Sequence, residues 1–464
     1  MNATRQDALA AVAAYIDDGR FQGDLADWIA FETESQNPAQ ASELSRYLDK
    51  AVMPRLRAMG FSCDIHPNPV ADGAPLLVAE RQEGAAFPTI LTYGHGDVVR
   101  GQADQWRAGL HPFRLTSEGE RLYGRGTADN KGQQLINMAA LAAVLATRQT
   151  LGFNVKVLIE MSEELGSPGL REFCAAHKSR LAADVLIASD GPRLQPDTPT
   201  IFMGSRGALG FDLLVDLREG AHHSGNWGGL LADPAIILAQ ALATITDARG
   251  QINIPEWRPS SLTDDIRIAL RDLPIASSDG PDIDCDWGEE DLTPAERVFG
   301  WNSFAILAMS SGVPQAPVNA IAARACATCQ LRYVVGTDAD DILPALRRHF
   351  DAHGFFKVQI IEREEVGFAA TRLATDHPWL KLVATSLKQT SGGKLHVLPN
   401  VAGSLPNDVF ADILGLPTIW VPHSYRGCSQ HAPNEHVLMG VCRDSAQIMA
   451  GLFWDIGQLR HIDA

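Results

Sequence analysis

The sequence has no long apolar run, no cluster of basic residues and few cysteines. None of its stretches reaches the roughly 18 uninterrupted apolar residues that span a membrane. The first 20 residues combine acidic side chains with a short alanine-rich run, which predicts an amphipathic helix rather than a signal peptide. The seven cysteines are odd in number and scattered, as is typical of reduced thiols. We therefore expect a cytoplasmic protein that has no membrane partner.

The charge is strongly negative, because 56 Asp and Glu residues against 39 Lys and Arg residues give a net charge of -17. Proteins that bind nucleic acids or anionic membranes do so with clustered Lys and Arg. The balance therefore argues against both kinds of partner, although an acidic surface alone says little about a substrate. A chain of 464 residues that is 45% hydrophobic and 20% charged is typical of a globular protein with two or three domains.

Two of the cysteines, Cys326 and Cys329, are three positions apart within an apolar and polar alternation that predicts a strand. Side chains three apart on a strand point to opposite faces. We therefore do not expect this pair to bind a metal ion or to form a redox site.

Short apolar runs bounded by turn residues predict buried strands. They lie at 88–93, 155–161, 184–189 and 416–421. A helix is predicted between the first two runs, at 131–147, and another at 41–59, where Gly60 ends it. Strands that alternate with helices indicate an α/β fold with a mainly parallel sheet.

The pattern changes after Gly204, where half-exposed strands and helices predict a second domain with antiparallel character. The predicted strands and helices of this domain are 207–219, 234–248, 321–335, 339–352 and 356–363. Residues 251–317 are rich in Pro, Asp and Trp and are too long for a plain connection, so we expect an elaborated loop or lid. The α/β pattern returns near Thr371. We therefore predict a catalytic domain in two parts, 1–205 and 370–464, interrupted by an inserted α+β domain at 206–369.

Polar side chains follow the first predicted strand and precede the helix at 131–147. In GHGDVV, His95 and Asp97 share one face of an extended chain, so Asp97 can accept the ring N–H of His95 and leave the other nitrogen for a metal. In GRGTADNKG, Asp129 stands between glycines just before the helix, where a carboxylate can equally serve as a helix cap. Taken singly, a histidine after a strand is also typical of a polar rim.

Three further segments place acids or a histidine after the remaining strands. Glu163 and Glu164 lie in SEELGSPG, Asp190 lies in SDGP and His431 lies in CSQHAPNEH. Each segment by itself fits a solvated turn. Together they stand where the carboxyl ends of strands gather the sites of open α/β sheets. Two histidines and several carboxylates supply enough donors for two divalent metal ions, for which Zn²⁺ is the first choice.

These segments resemble the motifs of the co-catalytic zinc peptidase and deacylase family that includes carnosinase, glutamate carboxypeptidase, acetylornithine deacetylase and succinyl-diaminopimelate desuccinylase. The resemblance covers nearly the whole chain, since GHGDVV, LYGRGTADNKG, EMSEELGSPG, SDGP and QHAPNEH follow the family's order. It implies one metal held by His95 and Asp190 and a second by Glu164 and His431, with Asp129 bridging them. It also implies a cis peptide between Asp129 and Asn130.

The same resemblance implies roles for other residues. Glu163 would be the general base, and Asp97 would orient a ligand. In the carnosinase-like branch the histidine before Ser-Gly reaches the neighbouring subunit's site; in AHHSGNWGG that residue is His223, which implies a homodimer built through the inserted domain. Arg332 matches the arginine that binds the substrate carboxylate. Four further positions match substrate-lining residues with a weaker motif: Asn319, His377, Gly403 and Ser404.

The resemblance favours a dipeptidase with two divalent metal ions, zinc first and manganese or cobalt as alternatives. One departure bears on the substrate, because Asn400 to Ser404 lacks the acid that carnosinase-like members carry ahead of Gly-Gly-Ser. An N-acyl or N-carbamoyl amino acid deacylase therefore stays open as an alternative. A metal-free binding relative should have lost ligands or the general base, and this sequence retains all of them.

Overall fold

The structure is a computed structural model that describes residues 3–71, 73–275, 281–363 and 367–459. Small parts of all three predicted domain ranges, and of the predicted loop or lid at 251–317, lie outside the described residues.

The helices alternate with the strands along the described chain. The α-helices are α1 (Arg5–Asp17), α2 (Arg20–Ile29), α3 (Ala41–Tyr47), α4 (Met53–Ala58), α5 (Lys131–Arg148), α6 (Leu170–Ala176), α7 (Lys178–Leu181), α8 (Ser224–Trp227), α9 (Pro234–Ile245), α10 (Asp264–Leu270), α11 (Pro294–Phe299), α12 (Ile342–Ala352), α13 (Pro378–Thr390) and α14 (Met439–Ile456). A π-helical turn, Leu48–Val52, joins α3 to α4, so the helix predicted at 41–59 is one helical unit with a local widening.

The strands form one large sheet and several smaller ones. They are β1 (Ser62–His66), β2 (Leu76–Arg81), β3 (Thr89–His95), β4 (Thr116–Glu118), β5 (Arg121–Tyr123), β6 (Asn154–Glu160), β7 (Val185–Ala188), β8 (Pro192–Arg193), β9 (Thr200–Phe202), β10 (Gly204–Ser205), β11 (Gly207–Asp216), β12 (His222–His223), β13 (Ser303–Ser311), β14 (Ala320–Ile321), β15 (Arg324–Tyr333), β16 (Gln359–Glu362), β17 (Thr371–Arg372), β18 (His396–Leu398), β19 (Thr418–Trp420), β20 (Ser424–Tyr425) and β21 (His436–Leu438).

The large sheet has eight strands in the order β1-β2-β6-β3-β7-β19-β9-β18. Its centre is parallel, because β3 pairs in parallel with both β6 and β7, and β7 pairs in parallel with β19. Antiparallel pairs join β1, β2 and β6 at one side and β9 to β19 near the other. The predicted α/β fold with a mainly parallel sheet is confirmed, with antiparallel additions towards the edges.

Helices cover both faces of the large sheet, which explains why its central strands are continuously apolar. On β6, Val155, Val157 and Ile159 belong to the core cluster that also holds residues of α1, α5, α13 and α14. Leu158, which points the other way, belongs to a second cluster with residues of α6, α10 and α11. The sheet therefore has a core on each side and no face open to water at its centre.

A second sheet lies in the part of the chain predicted as an insertion. Its four strands run in the order β13-β15-β11-β16, and all the pairs are antiparallel. Residues of α9 and α12 share its hydrophobic core. Cys326 and Cys329 lie on β15 as predicted, and neither forms a disulfide.

The prediction of an elaborated loop at 251–317 is wrong for much of that range, whereas the alternative of a lid stays a prediction. It contains α10, α11 and the nine-residue strand β13, which pairs with β15 at the edge of the second sheet. The sequence SFAILAMSS shows little period-2 alternation because β13 is exposed along most of its length. Its strand conformation depends on the pairing with β15, which is distant in sequence.

Candidate metal centre

The carboxyl ends of the parallel strands bring the predicted site residues to one edge of the large sheet. His95 is the last residue of β3, and Asp190 follows β7 after one residue. Glu163 and Glu164 begin a single 3₁₀ turn just beyond β6. Asp129 comes directly before α5, and the peptide bond to Asn130 is cis, as the family resemblance implied.

Close packing fixes the loop that carries Asp129. Gly126 has a φ of 92°, a conformation that favours glycine, and a Cβ on Gly132 would lie only 2.0 Å from the carbonyl oxygen of Thr127. The glycines of GRGTADNKG therefore let the chain turn back on itself and start α5 immediately. This geometry directs the Asp129 side chain towards the end of β3.

Two groups of donor atoms share Asp129. The Nε2 atom of His95 lies 2.9 Å from Oδ1 of Asp129 and 3.5 Å from Oδ2 of Asp190. The Nε2 atom of His431 lies 2.9 Å from Oδ2 of Asp129 and 3.1 Å from Oε2 of Glu164. Within each group the donor atoms all lie within 4.8 Å of one another. Asp129 thus offers one oxygen to each group.

Hydrogen bonds and burial control the protonation of this cluster. Burial alone would lower the pKa of His95, but hydrogen bonds with the neighbouring carboxylates outweigh it and raise this pKa well above its ordinary value. Hydrogen bonds with Asp129 and Glu164 raise the pKa of His431 to about 11. Burial would raise the pKa of Asp129, but the hydrogen bonds from both histidines hold it below its ordinary range. Burial also raises the pKa of Glu164 to about 7. The excess of carboxylates over histidines in this buried cluster therefore favours positive charge beside them.

The donor set fits divalent cations. Imidazole nitrogens mixed with carboxylate oxygens are the ligands of zinc and similar metals. One buried oxygen, Oε1 of Glu164, has no hydrogen-bond partner among the described residues. A buried carboxylate oxygen without a partner is costly unless a cation or water contacts it. Both observations support binding of a divalent cation at this cluster.

Asp97 connects the two halves of the cluster. Its Oδ1 lies 3.4 Å from Nδ1 of His95, and its backbone carbonyl lies 3.1 Å from the same nitrogen. Its carboxylate also accepts the backbone N–H groups of Glu163 and Glu164, at 3.1 and 3.2 Å. Asp97 therefore contacts both the imidazole of His95 and the turn that carries the two glutamates. The contact with the turn was not predicted from the sequence.

Glu163 lies beside the cluster but belongs to neither donor group. Burial raises the pKa of Glu163 well above its ordinary value, and the nearby Asp190 and Glu164 add to the effect, while His95 opposes it. A carboxyl group in this position can exchange a proton without being tied to a cation. This distinguishes Glu163 from its neighbour Glu164.

The other predicted site residues fall into three places. Nη1 of Arg332, on β15, donates to Oγ of Ser404 at 3.1 Å. Gly403, next to Ser404, lines a cavity of about 70 Å³. His223 is exposed on β12, and the adjacent β14 begins directly after Asn319.

His377 caps α13, because its Nδ1 accepts the N–H of Trp379 at 3.2 Å. Within the described part of the chain, no hydrogen bond or ion pair joins His377 to the metal-binding cluster.

Two residues near His431 contact the Asp129 loop but were not singled out from the sequence. Nε2 of Gln430 donates to Oδ2 of Asp129 at 2.5 Å. The carboxylate of Glu435 is buried against the backbone of the same loop. Both flank His431 in QHAPNEH, but their role depends on a contact between segments about 300 positions apart, which no local pattern indicates.

Comparison with known proteins agrees with this geometry. The model of peptidase family M20/M25/M40 matches residues 91–455, which is most of the chain. The chain belongs to this peptidase family. Membership of this family implies a divalent metal, and the two donor groups are candidate ligands for it.

The relatives share both sequence and fold with the chain. The Beta-Ala-His dipeptidase of Homo sapiens is 34% identical over 261 residues, which are 53% of this chain and 51% of that protein. The cysteinylglycine-S-conjugate dipeptidase of Corynebacterium striatum is 34% identical over 207 residues, 44% of each chain. The match spans about half the length of these curated relatives or less. An M20 family metallo-carboxypeptidase from Sulfolobus solfataricus has the same fold, with a TM-score of 0.81, 23% identity and coverage of 95% of this chain and 99% of that one.

No helix within the described ranges is both long enough and apolar enough to cross a membrane.

Because Asp129 belongs to both donor groups, its replacement should weaken both cation positions together. We expect Asp129→Asn, reconstituted with Zn²⁺ and desalted, to retain far less metal than the unsubstituted protein by elemental analysis. His349→Ala, a histidine on α12 outside both groups, is the matched control and should leave metal content unchanged. Two ions per chain in Asp129→Asn would contradict the shared position of Asp129.

Proposed function

We propose that this protein is a metal-dependent dipeptidase that hydrolyses the amide bond of a small substrate with a free carboxylate. The observation that carries the proposal is the arrangement around Asp129. Two adjoining donor groups share this carboxylate, and Glu163 lies beside them as an acid that belongs to neither. The names of the matched relatives, both dipeptidases, support the same reaction.

We assign His95 and Asp190 to one metal position and Glu164 and His431 to the other, with Asp129 serving both. Zinc is our first choice of metal, and manganese and cobalt fit the same donors. Divalent ions in this cluster would polarise the scissile carbonyl and lower the pKa of water towards about 7.

Glu163 is the proposed general base and acid. It takes a proton from the attacking water, a C–O bond forms at the carbonyl carbon, and the C–N bond breaks as Glu163 returns the proton to the leaving amine. Its position suits both steps, because burial favours the protonated form and the nearby His95 favours the carboxylate. Asp97 supports the reaction by fixing the backbone of Glu163 and the ring of His95.

Arg332 is the proposed binding group for the substrate carboxylate. Within the described residues no carboxylate forms an ion pair with it, and burial lowers the pKa of its guanidinium. Arg332 is half-buried. A half-buried guanidinium that has no carboxylate partner within the described residues favours binding of an anion, and its planar fork matches a carboxylate in two hydrogen bonds. Ser404 already orients one of its nitrogens. We propose Gly403 beside it, and with less support Asn319 and His377, as further substrate-lining residues.

The deacylase alternative keeps one observation in its favour. Asn400 is 1% exposed, and its side-chain amide donates to the carbonyl of Val401. At this position, therefore, the chain presents no acid to a substrate's free amine. An enzyme that accepts an N-acyl or N-carbamoyl amino acid needs no such acid.

A substrate panel separates the two reactions. We expect the zinc-reconstituted protein to hydrolyse unblocked dipeptides, with Beta-Ala-His and cysteinylglycine among those tested, faster than their N-acetyl and N-carbamoyl counterparts. Release of amine is the measurement. Hydrolysis of the blocked compounds alone would replace the dipeptidase proposal with the deacylase alternative.

Glu163→Gln should lower kcat by about 10²- to 10⁴-fold, because an amide cannot accept and return the proton. Metal content should stay unchanged, since Glu163 is outside both donor groups. The adjacent Glu164→Gln is the matched control and should lose metal. If Glu163→Gln lost metal to the same extent, or kept its rate, Glu163 would not be the base.

We propose that the insertion, 206–369, forms a separate domain through which two copies of the chain associate. Strand β13 is the edge of its sheet and is apolar on the outside: Ile306 is 48% exposed, Leu307 is 60% and Met309 is 49%. Long apolar edge strands pair with other chains unless they are protected. Ile236, on the neighbouring helix α9, is also exposed. A second copy would cover this surface.

His223 would then act in the partner's site. It is exposed on β12, which pairs with the sequence-distant β14, and its Nδ1 accepts the N–H of Gly225 at 3.1 Å. From a dimer partner it could donate to the oxygen of the carbonyl under attack. A reducing compartment, such as the cytoplasm, remains our proposal for its location and is supported by seven cysteines without a disulfide.

Mixing inactive variants tests this arrangement. Glu163→Gln and His223→Ala should each be nearly inactive alone, but subunit exchange between them should restore about one quarter of the activity. Random pairing makes half of the dimers mixed, and each mixed dimer has one intact site of two. Mixing Glu163→Gln with a chain that carries both substitutions is the control. Equal activity in the two mixtures would show that His223 does not act across a dimer.

A further inference from the structure

Near the candidate metal centre, the carboxylate of Glu435 is fully buried, and both of its oxygens accept hydrogen bonds. Its Oε1 accepts three backbone N–H groups, from Gly126 at 3.0 Å, Ala128 at 2.9 Å and Asp129 at 3.1 Å. Its Oε2 accepts Nη1 of Arg125 at 2.7 Å. Glu435 is 0% exposed.

Every one of these contacts is to the loop that carries Asp129. The backbone of Glu435 joins in, because its carbonyl accepts the N–H of Gly124 at 3.0 Å. Arg125 is 1% exposed and also donates to the carbonyl of Arg100 at 3.3 Å, so the partner of Glu435 is itself fixed. Glu435 belongs to neither donor group, and both of its oxygens are occupied. It can therefore act on a metal only through the position of Asp129.

The loop that carries His431 also needs an anchor, because its backbone is strained. Ser429, His431 and Asn434 have φ values of 58°, 58° and 65°. Non-glycine residues in this region are strained and persist only where the surroundings hold them. Glu435 comes directly after this loop and contacts the Asp129 segment. The next residues form β21, which pairs with β5, the strand that precedes the Asp129 segment. The strained loop is thus tied to the segment that carries Asp129.

We propose that Glu435, with Arg125, is the positioning residue that sets the distance between Asp129 and His431 and so preorganises the second metal position before any ion binds. This inference rests on the metal centre assigned under the proposed function. Only three residues lie between His431 and Glu435, so the carboxylate of Glu435 holds the loop of one proposed ligand against the loop of another. Since Asp129 also serves the first position, loss of Glu435 weakens both.

The test uses the metal-free full-length protein, titrated with Zn²⁺ or Co²⁺ against a competing chelator. Glu435→Gln keeps the size of the side chain but places an NH₂ group among donors, and Glu435→Ala removes the acceptor. Both should bind each ion about 10- to 100-fold more weakly, as is typical when a group behind a metal ligand is lost. The visible spectrum of the Co²⁺ form should change as well, because the ligand geometry changes.

Asp455→Asn is the matched control. Asp455 forms an ion pair with Arg5 at 3.0 Å between α14 and α1, away from both donor groups. This substitution should lower the melting temperature and leave metal affinity and the Co²⁺ spectrum unchanged. If the Glu435 variants also lost only melting temperature, Glu435 would be a stabilising residue and the inference would be wrong.

A second measurement needs no variant. In the unsubstituted metal-free protein, the amide hydrogens of Gly126, Ala128 and Asp129 should exchange slowly, because Glu435 holds them without metal. Fast exchange of these amides that becomes slow only with Zn²⁺ would overturn the inference even if the variants fail to fold. Failure of the unsubstituted protein to bind metal at all would instead remove the proposed function, so the two failures are distinguishable.

Discussion

The crowding of carboxylates around Asp129 is the constraint on which the site depends. Asp129, Glu164 and Asp190 lie within hydrogen-bonding range of only two histidines, and Glu163 lies close by. Like charges at such distances in a buried site are unfavourable unless cations or protons offset them. Hydrogen bonds with these carboxylates outweigh burial and raise the pKa values of His95 and His431, and divalent cations would offset the same negative charge more fully.

The fold keeps these acids together by fixing the backbone segments that carry them. The parallel centre of the large sheet places the ends of β3, β6 and β7 side by side, and cores on both faces hold those strands in register. Asp97 and Glu435 then fix the loops beyond these strands, because the buried carboxylate of each accepts backbone N–H groups. Two acids outside both donor groups thus hold the backbone of Glu164 and Asp129, which belong to those groups.

The second sheet gives the same chain a different kind of surface. The large sheet has helices on both faces, whereas β13 leaves an apolar edge exposed. An exposed apolar edge does not stabilise a single copy, and a second copy would bury it in the dimer that we propose. His223 lies on the same part of the chain. In our proposal it acts in the partner's site, so the site of a single copy is incomplete and activity requires association.

The sequence by itself determined the α/β class, the central strands and the order of the polar segments, because apolar runs and turn residues are local signals. It also indicated that Asp129, His95 and His431 belong together, through motifs at the ends of those strands. Only the tertiary structure decided which atoms meet, that Asp97 also holds the glutamate turn and that Glu435 holds the Asp129 loop. The tertiary structure also decided that β13 is a strand, because its conformation depends on pairing with β15 and its own sequence shows little period-2 alternation. These features arise from contacts between segments far apart in the chain, and such contacts leave no periodicity in the sequence of either segment.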